Sequence, residues 1–309
     1  MSTITLLGPQ FREPNLGPVL KELVLPGPLL SVTAGWQERE GEIDELATHV
    51  GREVTDLALY ARTEAIFAHD RPLFAEYRAR QERLRTLQDL YRVQLEHAHE
   101  AVLDVWHHGQ EGWIARGAKR SALGVMRRID REHLLGIERI HRSFLRRVAP
   151  LERPSIVPHR QQLAAAIEGA GAVLIAGGHV AILLNRLRLL GLADLLKGKP
   201  LLAWSAGAMA IADRIVLFHD QPPQGAGVAE VFDQGLGLIP GILPLPHAQT
   251  RLRLHDTEHV TILGRRFAPA RCLTLDHGSV VSLVDGHMAG YSHSWRLSRD
   301  GTLAEANAP

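Results

Sequence analysis

A single cysteine, Cys272, occurs among the 309 residues, which excludes an internal disulfide and a zinc site built from thiolates alone. Standing alone, it reads as a small core residue in preference to a reactive thiol. Long apolar runs are missing too. None approaches the roughly 18–20 residues that a membrane-crossing helix needs, and the opening MSTITLLGPQ has no basic head followed by an apolar stretch. A cytoplasmic protein with no membrane partner is expected. Nor is there a surplus of charge: Lys and Arg total 35 against 34 Asp and Glu, a net +1 with histidines neutral, so no global field calls for nucleic acid. Internal repeats and low-complexity tracts are absent. What is present is a globular composition, 45% apolar, in a chain long enough for one large domain or two of common size.

Three styles of sequence follow one another. Up to about residue 60, short apolar runs alternate with helical patterns: TITLLG and PLLSVTAG read as strands, NLGPVLKELV and GEIDELATHVG as helices. That alternation predicts a parallel sheet covered by helices. From 61 to 148 the pattern lengthens. Leu84, Leu87, Tyr91, Leu95, Ala98 and Val102 recur at steps of three and four, as do Met126, Ile129, His133, Ile137, Ile140 and Phe144, and each set makes one apolar helix stripe. The glycines of WHHGQEGWIARGAKRSALG predict a loop between them, and hence a helical hairpin. After the proline-bearing APLERPSIVPH the strand and helix alternation resumes with HRQQLAAAIEGAG and AVLIAGG. The first 60 residues need partner strands, so the helices read as an insertion within one α/β domain spanning 1–309. The late run RCLTLDHGSVVSLVDGHMAGYSHSWRLS is β-rich, with Asp285-Gly286 as a two-residue hairpin turn.

The chemistry concentrates around PLLAWSAGAMA, where an apolar strand meets Ser205 and then a helix of Ala, Gly and Met. A side chain on such a strand-to-helix turn is pushed out at the carboxyl end of the sheet. The crowded turn demands small neighbours, here Ala203, Ala206, Gly207 and Ala208, and the free N–H groups of the helix start favour a developing oxyanion. An N-cap serine has the same pattern, and the two readings are compatible. A nucleophilic serine needs a base and a group to orient that base. His247, ending the proline-flanked run GILPLPH, is best placed to be delivered to the same sheet edge. Asp220 ends another apolar run, and Asp276-His277 stand at a third strand end. Gly177 and Gly178 follow the strand AVLIA, where backbone N–H groups can approach a ligand closely.

The glycine pair after a strand, the SAGA motif at Ser205 to Ala208, and the later proline-histidine followed by arginines resemble the serine peptidase family of dipeptidase E and cyanophycinase. The resemblance covers about residues 154–290 and, by pattern only, the first 60. It implies a class I glutamine amidotransferase-like fold, with Ser205 as nucleophile, His247 as general base, and Gly178 and Ala206 as oxyanion donors. Asp220 stands where the family places its acidic partner; Asp276 is the runner-up. Arg251 and Arg253 would pair with a substrate carboxylate. The chain departs from the family at His179, where Asp or Asn is usual, and at Leu245-Pro246, where cyanophycinase-like members carry polar residues. Glutamine amidotransfer is disfavoured because the nucleophile position holds serine.

Two further segments draw attention. Between Arg116 and Arg147 ten Lys or Arg face three acids, a net +7. Without interleaved aromatics this reads as a solvated helix face, not a nucleic-acid platform, and the apolar stripes would suit homo-oligomerisation or covering of a cleft. Trp36, Gln37 and Glu38, after the strand PLLSVTAG, are candidate pocket residues. The combined expectation is a flavodoxin-like α/β fold, a parallel sheet with helices on both faces and 61–148 inserted. It would act as a serine hydrolase on an amide bond in a short or aspartyl-type peptide, with Gly177, His179, Arg251, Arg253 and Gln37 at the substrate and no metal or organic cofactor. The alternative is a non-catalytic ligand-binding or regulatory protein on the same fold, with the basic helical insertion contacting a partner.

Overall fold

A computed structural model describes residues 2–108, 111–218 and 227–307. The chain opens β1 (Thr3–Leu7), α1 (Leu16–Glu22), β2 (Leu29–Val32), a 3-10 turn at Ala34–Arg39, α2 (Asp44–Val50) and β3 (Val54–Asp56). Three helices follow, α3 (Leu59–His69), α4 (Arg71–His107) and α5 (Gly112–Val148). The alternation then resumes through α6 (Val157–Gly169), β4 (Ala172–Ile175), α7 (Val180–Leu189), α8 (Leu192–Leu196), β5 (Leu201–Trp204) and α9 (Ala206–Ile211). Next come the hairpin β6 (Arg214–Leu217) and β7 (Glu230–Gln234), then β8 (Ile242–Pro246), α10 (Ala248–Arg251), α11 (Thr257–Phe267) and β9 (Arg271–Leu275). Four short strands close the chain: β10 (Val280–Val284), β11 (His287–Ser292), β12 (Trp295–Leu297) and β13 (Leu303–Glu305).

The main sheet runs β11-β10-β1-β5-β4-β2-β3. Its five strands from β1 to β3 are parallel, and β10 and β11 add an antiparallel edge. Alternate residues of β4 show why its sequence is apolar throughout: Val173 and Ile175 face one core with α3, α6, α7 and α9, while Ala172 and Leu174 face another with α1 and α2. A strand buried on both faces cannot alternate with polar residues. The arrangement is the flavodoxin-like one, with helices on both faces. The turn at Asp285-Gly286 is a two-residue hairpin, both residues at positive φ, joining Val284 to His287.

The strand that carries His247 departs from expectation. β8 lies outside the main sheet, on the edge of a second, four-stranded one ordered β13-β12-β9-β8. Pro244 and Pro246 explain this, because a residue without an N–H cannot serve a strand paired on both sides. β8 pairs only with β9, in parallel.

The hairpin of α4 and α5 forms with both apolar stripes on its inner faces, Leu84, Leu87, Ile129 and Ile140 half-buried and the others buried, but its connection is shorter than the glycines predict. Gly117 and Gly124 lie inside α5 with open space around them, and the surrounding Ala, Arg and Lys are strong helix formers that outweigh the cost of the glycines. The distal half of the hairpin joins β6, β7, β8 and α11 in a separate core that also encloses Cys272. Among the described residues no helix is long and apolar enough to cross a membrane.

Candidate active site

Ser205 sits between β5 and α9 with φ 49° and ψ −123°, a conformation that costs an L-residue energy and persists only where its surroundings enforce it. Its side chain makes no cap bond to α9, which separates the two readings of the motif: the serine occupies the N-cap position without capping. The small residues around it are required by contact. A Cβ on Gly207 would lie 2.2 Å from the Ile175 carbonyl oxygen, and a Cβ on Gly177 would lie 2.8 Å from Ser205 Cβ. Gly178 has φ 106°, and a side chain there would meet the Gly35 carbonyl oxygen at 2.4 Å. The loops after β2, β4 and β5 therefore interlock through bare backbone. His179 N–H donating to Gly35 O at 2.8 Å fastens the first two together.

His247 reaches this turn from the second sheet. Its Nε2 lies 3.4 Å from Ser205 Oγ. That separation is long for an O–H···N bond, as apo catalytic pairs often are. Its backbone is in the left-handed region, φ 58°, and its N–H donates to Leu275 O at 3.0 Å, which anchors it to β9. Burial, then the charges of Arg251 and His277, push the imidazole down to about 4, so the ring is neutral and able to accept a proton at neutral pH. Among the described residues no carboxylate hydrogen-bonds the ring. Asp220 lies outside the described residues. Asp276 is close in the fold, but its Oδ1 accepts from the Gln249 amide at 2.9 Å.

Both members of the pair open into a cleft of about 1200 Å³, together with Gly177, Gly178, Ala206 and Arg251. Arg251 ends α10, one turn beyond His247, half-buried and with its guanidinium lowered by burial. Arg253 instead faces Asp256 at 3.4 Å and His259, and it is not part of the cleft wall. Gln37 is likewise absent from that wall; its neighbours Trp36 and Arg39 take its place. Its backbone repeats the strained geometry of the serine, φ 61° and ψ −123°. His179 caps α7, its Nδ1 accepting from Ile182 N–H at 3.4 Å, which is the work an Asp or Asn does at a helix start. Leu245 is core, Pro246 is cleft wall, and Cys272 is buried with its thiol pushed up to about 12 by burial. Such a thiol is no nucleophile at neutral pH. Sequence reasoning passed over Gly35, whose only signal was its place in a small-residue run after β2. It also passed over Phe11, Glu45 and His49, which complete the wall from the loop after β1 and from α2.

Residues 148–289, which carry the serine, the histidine and the glycine pair, match the model of peptidase family S51. Over that segment the chain is similar to the S51 peptidases. The resemblance read from SAGA and the glycine pair is borne out over that segment, and with it a hydrolase of the serine peptidase class. Two solved structures align along most of the chain. One is a peptidase from an acI-B1 actinobacterium, at 14% identity over 97% of this chain and 91% of the other, TM-score 0.46. The second is a candidate peptidase E from Listeria monocytogenes EGD-e, at 12% identity over 96% and 100%, TM-score 0.44. No curated protein matches the chain in sequence. The S51 match begins at the last residue of α5, so it leaves α4 and nearly all of α5 outside.

Proposed function

We propose that the chain hydrolyses an amide bond in a short peptide or an aspartyl-type peptide by acyl transfer through Ser205. The carrying observation is the pairing of a strained, non-capping Ser205 with the neutral imidazole of His247 across 3.4 Å. In the forward step His247 Nε2 takes the hydroxyl proton as Ser205 Oγ attacks the carbonyl carbon. The amide nitrogen then leaves with that proton, and water, activated by the same imidazole, releases the acyl group. The developing oxyanion rests on the N–H groups of Gly178 and Ala206. The first belongs to the loop packed on the serine, and the second is the first residue of α9, whose N–H has no intrahelical acceptor.

Arg251 gives the substrate its direction. A guanidinium one turn from the base, in the cleft wall and half-buried, suits a carboxylate beside the scissile bond, which it can bind in bidentate fashion. The reading treats 1–309 as one α/β domain with 61–148 inserted, since β3 before the helices and β4 after them both pair with β2.

Ser205→Ala tests the assignment. It is expected to lower kcat by about 10⁴-fold or more with the fold intact, and a fluorophosphonate probe is expected to label wild-type protein at Ser205 alone. Turnover at the wild-type rate in the folded variant would sink the reading.

A further inference from the structure

Helix α10 has four residues, and its first amides need acceptors from outside the helix. The residue at its N-cap position supplies none, because the His247 side chain makes no cap bond and turns to Ser205. The acceptor comes from the end of β9. The parallel register of β8 and β9 sets Pro246 beside Leu275, so the residues that follow each strand, His247 and Asp276, are neighbours. Asp276 Oδ1 accepts from the Gln249 amide at 2.9 Å, and the Ala248 amide also bears on the carboxylate. Among the described residues its Oδ2 has no hydrogen-bond partner, and the residue is 6% exposed.

Asp276 is itself held on three sides. Its N–H donates to Ser279 Oγ at 2.8 Å, and Ser279 N–H donates back to its carbonyl at 3.0 Å. That carbonyl packs so closely on Gly8 that a Cβ there would lie 1.8 Å away. The carboxylate is thus fixed to the main sheet through β1 and to the second sheet through β9.

We propose that Asp276 is a positioning residue that holds α10 by its backbone amides, and so sets His247 and Arg251 as one rigid unit while leaving the imidazole ring free. The inference rests on the reading of Ser205 and His247 given above and adds to it the source of their alignment. It differs from a direct triad contact in what it demands of the side chain. A triad carboxylate must be charged and must accept from the imidazole, whereas a cap needs only an acceptor oxygen, which asparagine also has.

The test compares Asp276→Asn with Asp276→Ala on a carboxylate-bearing peptide and follows amide hydrogen exchange of residues 248–251. Asp276→Asn is expected to keep kcat/KM within about threefold, since Asn and Asp cap equally well. Asp276→Ala is expected to lose about 10- to 100-fold, as displaced catalytic groups do. That loss is divided between kcat, through His247, and KM, through Arg251, and exchange protection at Gln249 disappears. A fall in kcat of about 10⁴-fold in Asp276→Asn at unchanged KM would make it a direct triad member and overturn the proposal. Unchanged protection in Asp276→Ala would overturn it too, whether or not the protein is active. The parent reading fails separately, in wild-type protein that neither labels at Ser205 nor turns over.

Discussion

His247 carries two burdens that oppose one another. As a base it gains from a high pKa, yet burial and the nearby Arg251 and His277 hold it at about 4. The sign for activity follows: the competent form is the neutral ring, so kcat/KM is expected to stay level from neutral pH down to about 5. Below about 4 it should fall tenfold per unit, where an unperturbed histidine would begin to fall near 6.5. Arg251→Met removes one of the two charges, and the acid limb is expected to move upward. Initial rates between pH 3 and 8 read both limbs, and a wild-type limb near 6.5 would contradict a buried imidazole flanked by positive charge. Ser205 and His247 were legible because a strand-turn-helix pattern and a proline-flanked strand end are local signals. The contacts that make them work were not. Gly35 against Gly177 and Asp276 under α10 join residues far apart in sequence, and no local periodicity marks them.

At the scale of elements, the long hairpin of α4 and α5 is tied to the α/β body by buried charge as well as by its stripes. Asp130 on α5 accepts from Arg266 of α11 through both oxygens, at 2.7 and 2.8 Å, and from Tyr91 Oη of α4 at 2.8 Å. Tyr91 Oη in turn accepts from Val231 N–H of β7 at 3.0 Å, and Arg266 donates to Ala229 O at 2.6 Å. Burial opposes the charge on Arg266, and Asp130 outweighs it. Asp130→Ala would leave a buried guanidinium without its counter-charge and is expected to cost about 3–5 kcal/mol in urea unfolding, while the pair Asp130→Leu with Arg266→Met should lose clearly less than either single change. Additive losses would show that the pair is not coupled. The stripes of this hairpin could be read from the sequence. Its anchoring could not: Asp130, His133 and His141 stand on the buried faces, where a helix pattern alone leads one to expect apolar residues.

The candidate site lies where the two larger sheets meet: Ser205 follows a strand of the seven-stranded sheet and His247 a strand of the four-stranded one, while β6 and β7 pair only with each other among the described residues. The sequence pattern assigned both to one sheet because pairing between β8 and β9 is non-local, and only the prolines of β8 hinted at an edge. Stability at this scale has a pH dependence that follows from the buried histidines. Burial lowers His133 and His247 to about 4 and lowers His141 as well. The unfolded chain takes up these protons as pH drops through about 6.5 while the folded one refuses them, so folding loses stability from there down to about pH 4. Glu40, Asp56 and Asp276, all raised by burial, act in the opposite sense, but only as pH approaches the carboxylate range. Urea unfolding at pH 7 and pH 5 should therefore show a loss of stability in acid. His133→Leu should flatten that slope, since His133 stacks on Tyr91 and binds Gln88 by one nitrogen while its Nδ1 has no hydrogen-bond partner among the described residues, so a neutral side chain there has nothing to refuse. A slope unchanged by this substitution would place the acid sensitivity elsewhere in the molecule.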